Sequence, residues 1–387
     1  MYTNEVDETI QRFIKMFYQV GMWQRDDESM LRKVAKKLFH TIFGASYPIF
    51  LLTNSFLCDD RSESIYSIQL TIIGLFLYVK YLYVLFKKRE ILALLYDKNV
   101  IHATENREEY EQNKRKIGKF MKFVRPFVLS IFITCPLLVV VKLPIFSDDK
   151  TLPMFISFTW NNSEIIYWVA FCYLALALLL YAIAIQITIL IWYIMFNYSI
   201  EYEMLGNRLR NLGTETKTKM IRDVQKRIML VPRNFNENFI VSVKACRTLT
   251  KTIQRFESCL STLFLFQYFT SGIGICGSIY NLAFASKENI VQMEWDGIIL
   301  FYGLSDIFLI MYLANEITDA SDRLRYCLFQ CNWIEQTEPC KKCVLIMGEM
   351  LKQPQQLVIV IYPMNLQTFM TIVNGAYKMF NVLKNFQ

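Results

Sequence analysis

Histidine is nearly absent: only His40 and His102 occur in 387 residues. No Ser-His-Asp arrangement, Walker-type phosphate loop or His-Glu metal motif appears in the sequence. Hydrolytic triads and zinc hydrolases are therefore disfavoured, and no catalytic residue, metal or cofactor is predicted. The ten cysteines are scattered and fall mostly in apolar or cytosolic stretches, where disulfides are not expected. The acidic, polar opening from Met1 to Gln11 lacks the short apolar core of a cleavable signal. The first apolar block is thus expected to act as its own membrane signal.

Apolar side chains are plentiful. Hydrophobic residues make up 54% of the chain and aromatics 15%, and they are gathered in blocks. A spanning helix needs about 20 mostly apolar residues. Seven blocks qualify: 38–57, 65–86, 123–141, 165–196, 259–285, 295–317 and 357–386. Blocks this long are helices rather than barrel strands. The fourth exceeds one upright span, so it must tilt or project beyond the bilayer. The seventh is interrupted by Asn365, Gln367, Asn374, Lys378, Asn381 and Asn385, which suits a helix facing water or protein rather than lipid. The fold class predicted is an all-α membrane protein of seven transmembrane helices.

The formal charge of +8 is distributed by topology. Of 42 lysines and arginines, 34 fall in 1–37, 87–122, 197–255 and 317–354, and only Arg61, Lys142, Lys150 and Lys287 lie in the alternate loops. By the positive-inside rule the N-terminus is cytosolic and, after seven crossings, the C-terminus is extracellular. The basic charge therefore faces the inner membrane surface, and no nucleic-acid partner is expected.

The last third carries a recognisable pattern. It runs through Tyr312-Leu-Ala-Asn315-Glu316-Ile317, Ser321, Leu324, Cys327, Asn332-Trp333, Ile346-Met347, Pro354 and Pro363. It closes on Thr368-Phe369 and Ala376-Tyr377-Lys378-Met379-Phe380-Asn381-Val382-Leu383. This resembles the insect odorant receptor family. At Ala376-Tyr377-Lys378 the family commonly has Ser-Tyr-Ser; here the tyrosine stays and both flanking hydroxyls are gone, at unchanged spacing. The resemblance implies an odorant-gated, non-selective cation channel in the plasma membrane of sensory neurons. It implies a tetramer with an obligate co-receptor, in which this chain binds the small volatile odorant. The short 197–255 segment suits the tuning subunit, since the co-receptor carries a longer loop there. A gustatory-type homomeric channel of the same fold is the alternative, and a transporter or enzyme is disfavoured by the lack of an inverted repeat or catalytic cluster. The implied layout is a cytosolic segment 1–37, six membrane helices within 38–317, a cytosolic anchor 318–356 and a pore-lining helix 357–387.

The resemblance puts the gate on Val382, Asn385 and Phe386. Together with Lys378 they share one helical face at i, i+4, i+7 and i+8, mixing apolar and amide groups that can gate by dewetting or replace hydration. Four copies of Lys378 in a cation pore would repel the permeant ion. Either it points sideways or only some subunits carry it, and the second option favours a heteromer.

The resemblance puts the odorant pocket in the outer halves of the second to sixth spans. A site for small volatiles should be aromatic and aliphatic with few polar anchors. The stripes available there are Gln69, Ile73 and Phe76; Ile131, Thr134 and Leu138; Tyr167, Phe171 and Leu174; and Phe301, Tyr302 and Ser305. This lining suits an aromatic ligand, with Thr134, Tyr302 or Ser305 to hydrogen-bond it. Such stripes also serve ordinary helix packing. Lys80 and Asp306 are charged residues inside spans at equal depth, which permits either an ion pair or separate snorkelling to the interface. Cys327, Cys331, Cys340 and Cys343 share one cytosolic segment without the paired zinc-knuckle spacing, so packing or palmitoylation is favoured over a metal. Asn161-Asn162-Ser163 is a glycosylation sequon in an outer loop.

Overall fold

The computed structural model describes residues 2–3, 6–57, 61–96, 103–104, 107–140, 152, 163–213, 235–284, 290–359 and 362–384. Among the described residues ten helices carry the fold: α1 (Glu8–Gln19), α2 (Met30–Leu57), α3 (Arg61–Phe86), α4 (Lys88–Leu95), α5 (Arg107–Val140), α6 (Glu164–Arg210), α7 (Phe235–Phe284), α8 (Ile290–Phe329), α9 (Glu338–Met350) and α10 (Leu366–Lys384). Two minimal antiparallel strand pairs accompany them among the described residues, Tyr2–Thr3 with Ala103–Thr104 and Val358–Ile359 with Tyr362–Pro363. Among the described residues, the first six apolar blocks lie within helices.

Five of these helices are long and apolar enough to cross a membrane: 66–86 in α3, 107–137 in α5, 164–210 in α6, 235–283 in α7 and 296–329 in α8. Helix α6 is the axis of the bundle. Its most apolar stretch is 72% buried against 22% for α5, so α6 is surrounded by protein while α5 lies at the periphery. Helix α6 has 47 residues, about 70 Å at the helical rise, more than twice a hydrocarbon core of about 30 Å. It meets the length excess expected from the sequence by projecting. Its last turns, from Tyr198 to Leu209, stay buried against the ends of α7 and α8. Helix α8 likewise runs unbroken across position 318 to Phe329. Among the described residues, the junction of these projecting ends is close enough to demand glycine: a Cβ on Gly348 of α9 would sit 2.5 Å from the Phe329 ring.

Helix α2 falls short of spanning apolarity because it keeps polar groups on its inner face. His40, Asn54 and Ser55 are buried there. The Nδ1 of His40 bonds the Tyr81 hydroxyl, and Asn54 Nδ2 donates to Ser67 Oγ at 2.7 Å. The opposite face is apolar: Ile42, Ile49 and Phe56, at i, i+7 and i+14, are all exposed.

The seventh block departs from a continuous helix. Val358–Ile359 pairs with Tyr362–Pro363, and the helix begins only at Leu366. The β-branched Val358 and Ile359 favour strand, and Pro363 lacks the amide that a helix interior would use. Asn365 is not an interruption of the span but its N-cap: its Oδ1 accepts the Thr368 amide at 2.8 Å, filling one of the orphan donors of the first turn.

Candidate functional site

Two buried polar networks cross the bundle. In the first, Lys80 Nζ of α3 lies 3.0 Å from Asp306 Oδ2 of α8. It also donates to Thr188 Oγ1 of α6 at 2.8 Å and sits 4.7 Å above the Phe76 ring. Gln267 Nε2 of α7 donates to the same Asp306 oxygen at 2.9 Å and to Ser271 Oγ at 3.0 Å. Of the two readings open from sequence, pairing is therefore the one realised, and snorkelling is not. In a low-dielectric interior a lone charge would be far costlier than this pair with its added hydrogen bonds. Asp306 Oδ1 still lacks a hydrogen-bond partner.

The second network lies nearer the N-terminal end of α3. Gln69 Nε2 of α3 donates to Ser278 Oγ at 3.2 Å, and its Oε1 accepts from Asn281 Nδ2 at 2.9 Å. Asn281 also donates to Asp296 Oδ1 at 3.1 Å, and Asp296 is fully buried. Gln69 packs so closely on α7 that a Cβ on Gly277 would stand 2.7 Å from its amide carbon. Of Gly272, Gly274 and Gly277 in α7, only Gly277 makes such an approach; Gly274 meets nothing within 4 Å.

The twelve pocket candidates are not gathered in one cavity. Thr134, Phe301 and Tyr302 come together with Glu294, Gly297 and Ile298 around a cleft of about 390 Å³ between α5 and α8. Tyr302 is held there by its hydroxyl, which donates to Ser130 Oγ at 2.7 Å, and by an edge contact with Phe127. Ser305 is half-buried a turn below. Gln69 and Phe76 are occupied by the polar networks, Ile73 is half-buried, and Ile131 is buried. Tyr167, Phe171 and Leu174 are buried on α6, with both rings packed against Trp168. Leu138 lies in α5, but its side chain falls outside the described residues. So do Asn161, Asn385 and Phe386 entirely.

Helix α10 is two-faced. Ile372 and Ala376 are buried, and Phe369 packs edge-on against Phe308 of α8. Ala376 meets Ile275 and Cys276 of α7. The other face leaves Asn374, Lys378 and Val382 exposed. The helix thus rests on α7 and α8, close to the turns that hold Gln267, Ser271 and Asp306.

Sequence reasoning missed Thr188, Gln267, Ser271, Ser278, Asn281 and Asp296. One signal was present. Gln267, Ser271 and Ser278 follow i, i+4 and i+11 along α7, a polar stripe on one face of an otherwise apolar helix. Among the described residues no group of three or more His, Cys, Asp or Glu could hold a metal ion. Cys327, Cys331 and Cys340 are buried, while Cys343 is exposed. Cys340 donates to Asn236 Oδ1 at 2.7 Å, and burial pushes the Cys331 thiol up to about 11.

Known proteins share both sequence and architecture. Odorant receptor 94a of Drosophila melanogaster is 24% identical over 403 residues, covering 98% of this chain and 97% of the relative. Odorant receptor 59a of the same fly is 22% identical, over 76% and 74% of the two chains. The structure of olfactory receptor OR5 from Machilis hrabei in complex with eugenol superposes with a TM-score of 0.80, at 16% identity and 98% coverage of both chains. The family model described as 7tm Odorant receptor matches residues 61–377. The chain belongs to the 7tm odorant receptor family.

Proposed function

We propose that this chain is the odorant-binding subunit of a ligand-gated, non-selective cation channel, opened by a small, aromatic volatile. As a member of the odorant receptor family it is a receptor and not an enzyme. It crosses the plasma membrane of sensory neurons seven times, α2 and α10 included, with the N-terminus cytosolic and the C-terminus outside. It assembles with the co-receptor as a heterotetramer. Residues 1–37 and 318–356 are cytosolic, 38–317 hold the pocket helices, and the last helix of 357–387 lines the pore.

The observation that carries this reading is the two-faced α10. A helix beside apolar spans that exposes Asn374, Lys378 and Val382 needs water or another subunit on that side. A pore supplies both. Lys378 and Val382 then line it, continued by Asn385 and Phe386. The inward-polar, outward-apolar character of α2 supports a spanning role for it too. Thr134, Phe301, Tyr302 and Ser305 form the outer entrance for ligand, with Ile73, Phe76, Ile131, Leu138, Tyr167, Phe171, Leu174 and Gln69 behind it. Eugenol, the compound bound to the Machilis receptor, belongs in the first panel of ligands to try.

The test is whole-cell recording with an odorant panel, from cells expressing this chain alone and with the co-receptor. Odorant-evoked cation current only in the co-expressing cells is expected. Current from this chain alone would move the assignment to the gustatory-type homomer. No current in either, with both subunits at the surface, would defeat the channel reading.

A further inference from the structure

A second cleft, of about 500 Å³, opens where α1 abuts α5. Thr9, Lys122, Arg125, Pro126, Val128, Leu129 and Phe132 line it. Its chemistry is graded along α5. The end nearest the basic N-terminal half of the helix is polar, with Lys122, Arg125 and the Thr9 hydroxyl. The rest is hydrocarbon. From Lys122 to Phe132 is ten residues, about 15 Å of rise, which is half of a hydrocarbon core of about 30 Å. The groove thus has the length to reach from headgroup level to the bilayer middle. It lies on the outer surface of the bundle, where Leu129 is 59% and Phe132 36% exposed. Pro126 interrupts the backbone ladder between the two halves, since it has no amide to offer the Lys122 carbonyl.

The cations at the polar end are poorly matched within the protein. Arg125 Nε donates to Thr9 Oγ1 at 3.3 Å, and its Nη2 is 3.9 Å from Asp7 Oδ2. Asp7 is already committed as the cap of α1, accepting the Thr9 amide at 2.8 Å. Lys122 has no ion-pair partner among the described residues, nor have Lys119 and Arg115. Arg115, Lys119 and Lys122 stand at i, i+4 and i+7, all exposed, on one face leading into the cleft. Neighbouring Lys116, by contrast, is paired with Glu203.

We infer that this groove is a binding site for a single anionic glycerophospholipid of the cytosolic leaflet, its phosphate on Lys122 and Arg125 and one acyl chain along Val128, Leu129 and Phe132. A free phosphate would satisfy the cations but leave the apolar wall uncovered. A zwitterionic lipid would cover the wall and leave the surplus charge unmatched. The leaflet rests on the orientation proposed above, whereas the site itself does not. Seated there, the lipid bridges α1 to α5 and holds the cytosolic N-terminal helix against the bundle.

The test uses purified full-length protein in detergent, with dioleoyl phosphatidylserine, dioleoyl phosphatidylcholine or inorganic phosphate as probes. Bound lipid is read by native mass spectrometry, and stabilisation by thermal unfolding. One retained phosphatidylserine is expected, with an upward shift in unfolding temperature that neither phosphatidylcholine nor phosphate reproduces. K122Q/R125Q should weaken retention about 30-fold, taking the usual contribution of each basic residue to anionic-lipid attraction. K122R/R125K should restore it, and L129Q should lose the lipid with Lys122 and Arg125 intact. Equal retention of both lipids, a shift from phosphate alone, or undiminished phosphatidylserine on K122Q/R125Q would each overturn the site. Sidedness does not enter this measurement, so a wrong orientation would move the lipid to the other leaflet without abolishing its binding.

Discussion

Lys80 and Asp306 have each surrendered hydration for the other, with side chains only 4% and 14% exposed. Such a pair is weak as net stabiliser but expensive to break, because the survivor is left charged and buried; typical costs are about 3–5 kcal/mol. Lys80→Met leaves Asp306 with Gln267 alone, and Asp306→Asn leaves Lys80 with Thr188 and the Phe76 face. Each single variant is expected to lower surface expression and thermal stability sharply, and the K80M/D306L double variant to lose less than either. Surface biotinylation and thermal unfolding of the four proteins check this. Losses that simply add would deny the coupling. At this scale the charges themselves were legible, because ionisable residues in apolar blocks stand out. Their neutral partners were not. Thr188, Gln267 and Ser271 are unremarkable one at a time, and only the fold brings them, from α6 and α7, around the one Lys80–Asp306 pair. Gln69 and Phe76 mark the converse: their spacing suggested a ligand-facing stripe, but each is already engaged by a neighbour within the bundle.

At the scale of elements, α10 is where sequence and structure diverge most instructively. Amides in an apolar block invite a functional reading, yet Asn365 is a helix cap. The strands before it were hidden because Val358 and Ile359 are as apolar as any span residue, so hydropathy could not separate strand from helix. The faces of α10 were better legible. Helical spacing assigned Lys378 and Val382 to one side, and both are exposed, while Ile372 and Ala376 turn inward. If the exposed face lines a cation pore, Lys378→Ser removes a fixed positive charge from it. Single-channel conductance and cation-over-anion permeability are then expected to rise, from recordings on co-expressing cells. Unchanged conductance and selectivity would turn Lys378 away from the pore.

The whole molecule is organised by its surfaces. Apolar side chains such as Ile42, Phe123, Leu129 and Phe301 point outward, and the polar networks are kept inside. Charge bias predicts which end of the bundle is cytosolic, and Cys343 reports on it. A membrane-impermeant maleimide, applied in a C58S/C172S background, is expected to label Cys343 only after permeabilisation. Labelling of intact cells would invert the topology. Cys327, Cys331 and Cys340 should stay unlabelled in both conditions, since they are buried and burial keeps the Cys331 thiol protonated at neutral pH, away from the reactive thiolate.

Helix α6 is one uninterrupted rod from Glu164 to the buried turns that end at Leu209, and rods convert angle into distance. With a length of about 70 Å, a tilt of only about 5° around its middle carries each tip about 3 Å, in opposite directions. The Lys80–Thr188 bond lies near that middle, where such a movement is smallest. Helices α7 and α8 flank the rod and carry α10. A tilt of α6 too slight to reshape any helix would thus arrive at both of its ends as lever travel rather than as a chain of local rearrangements.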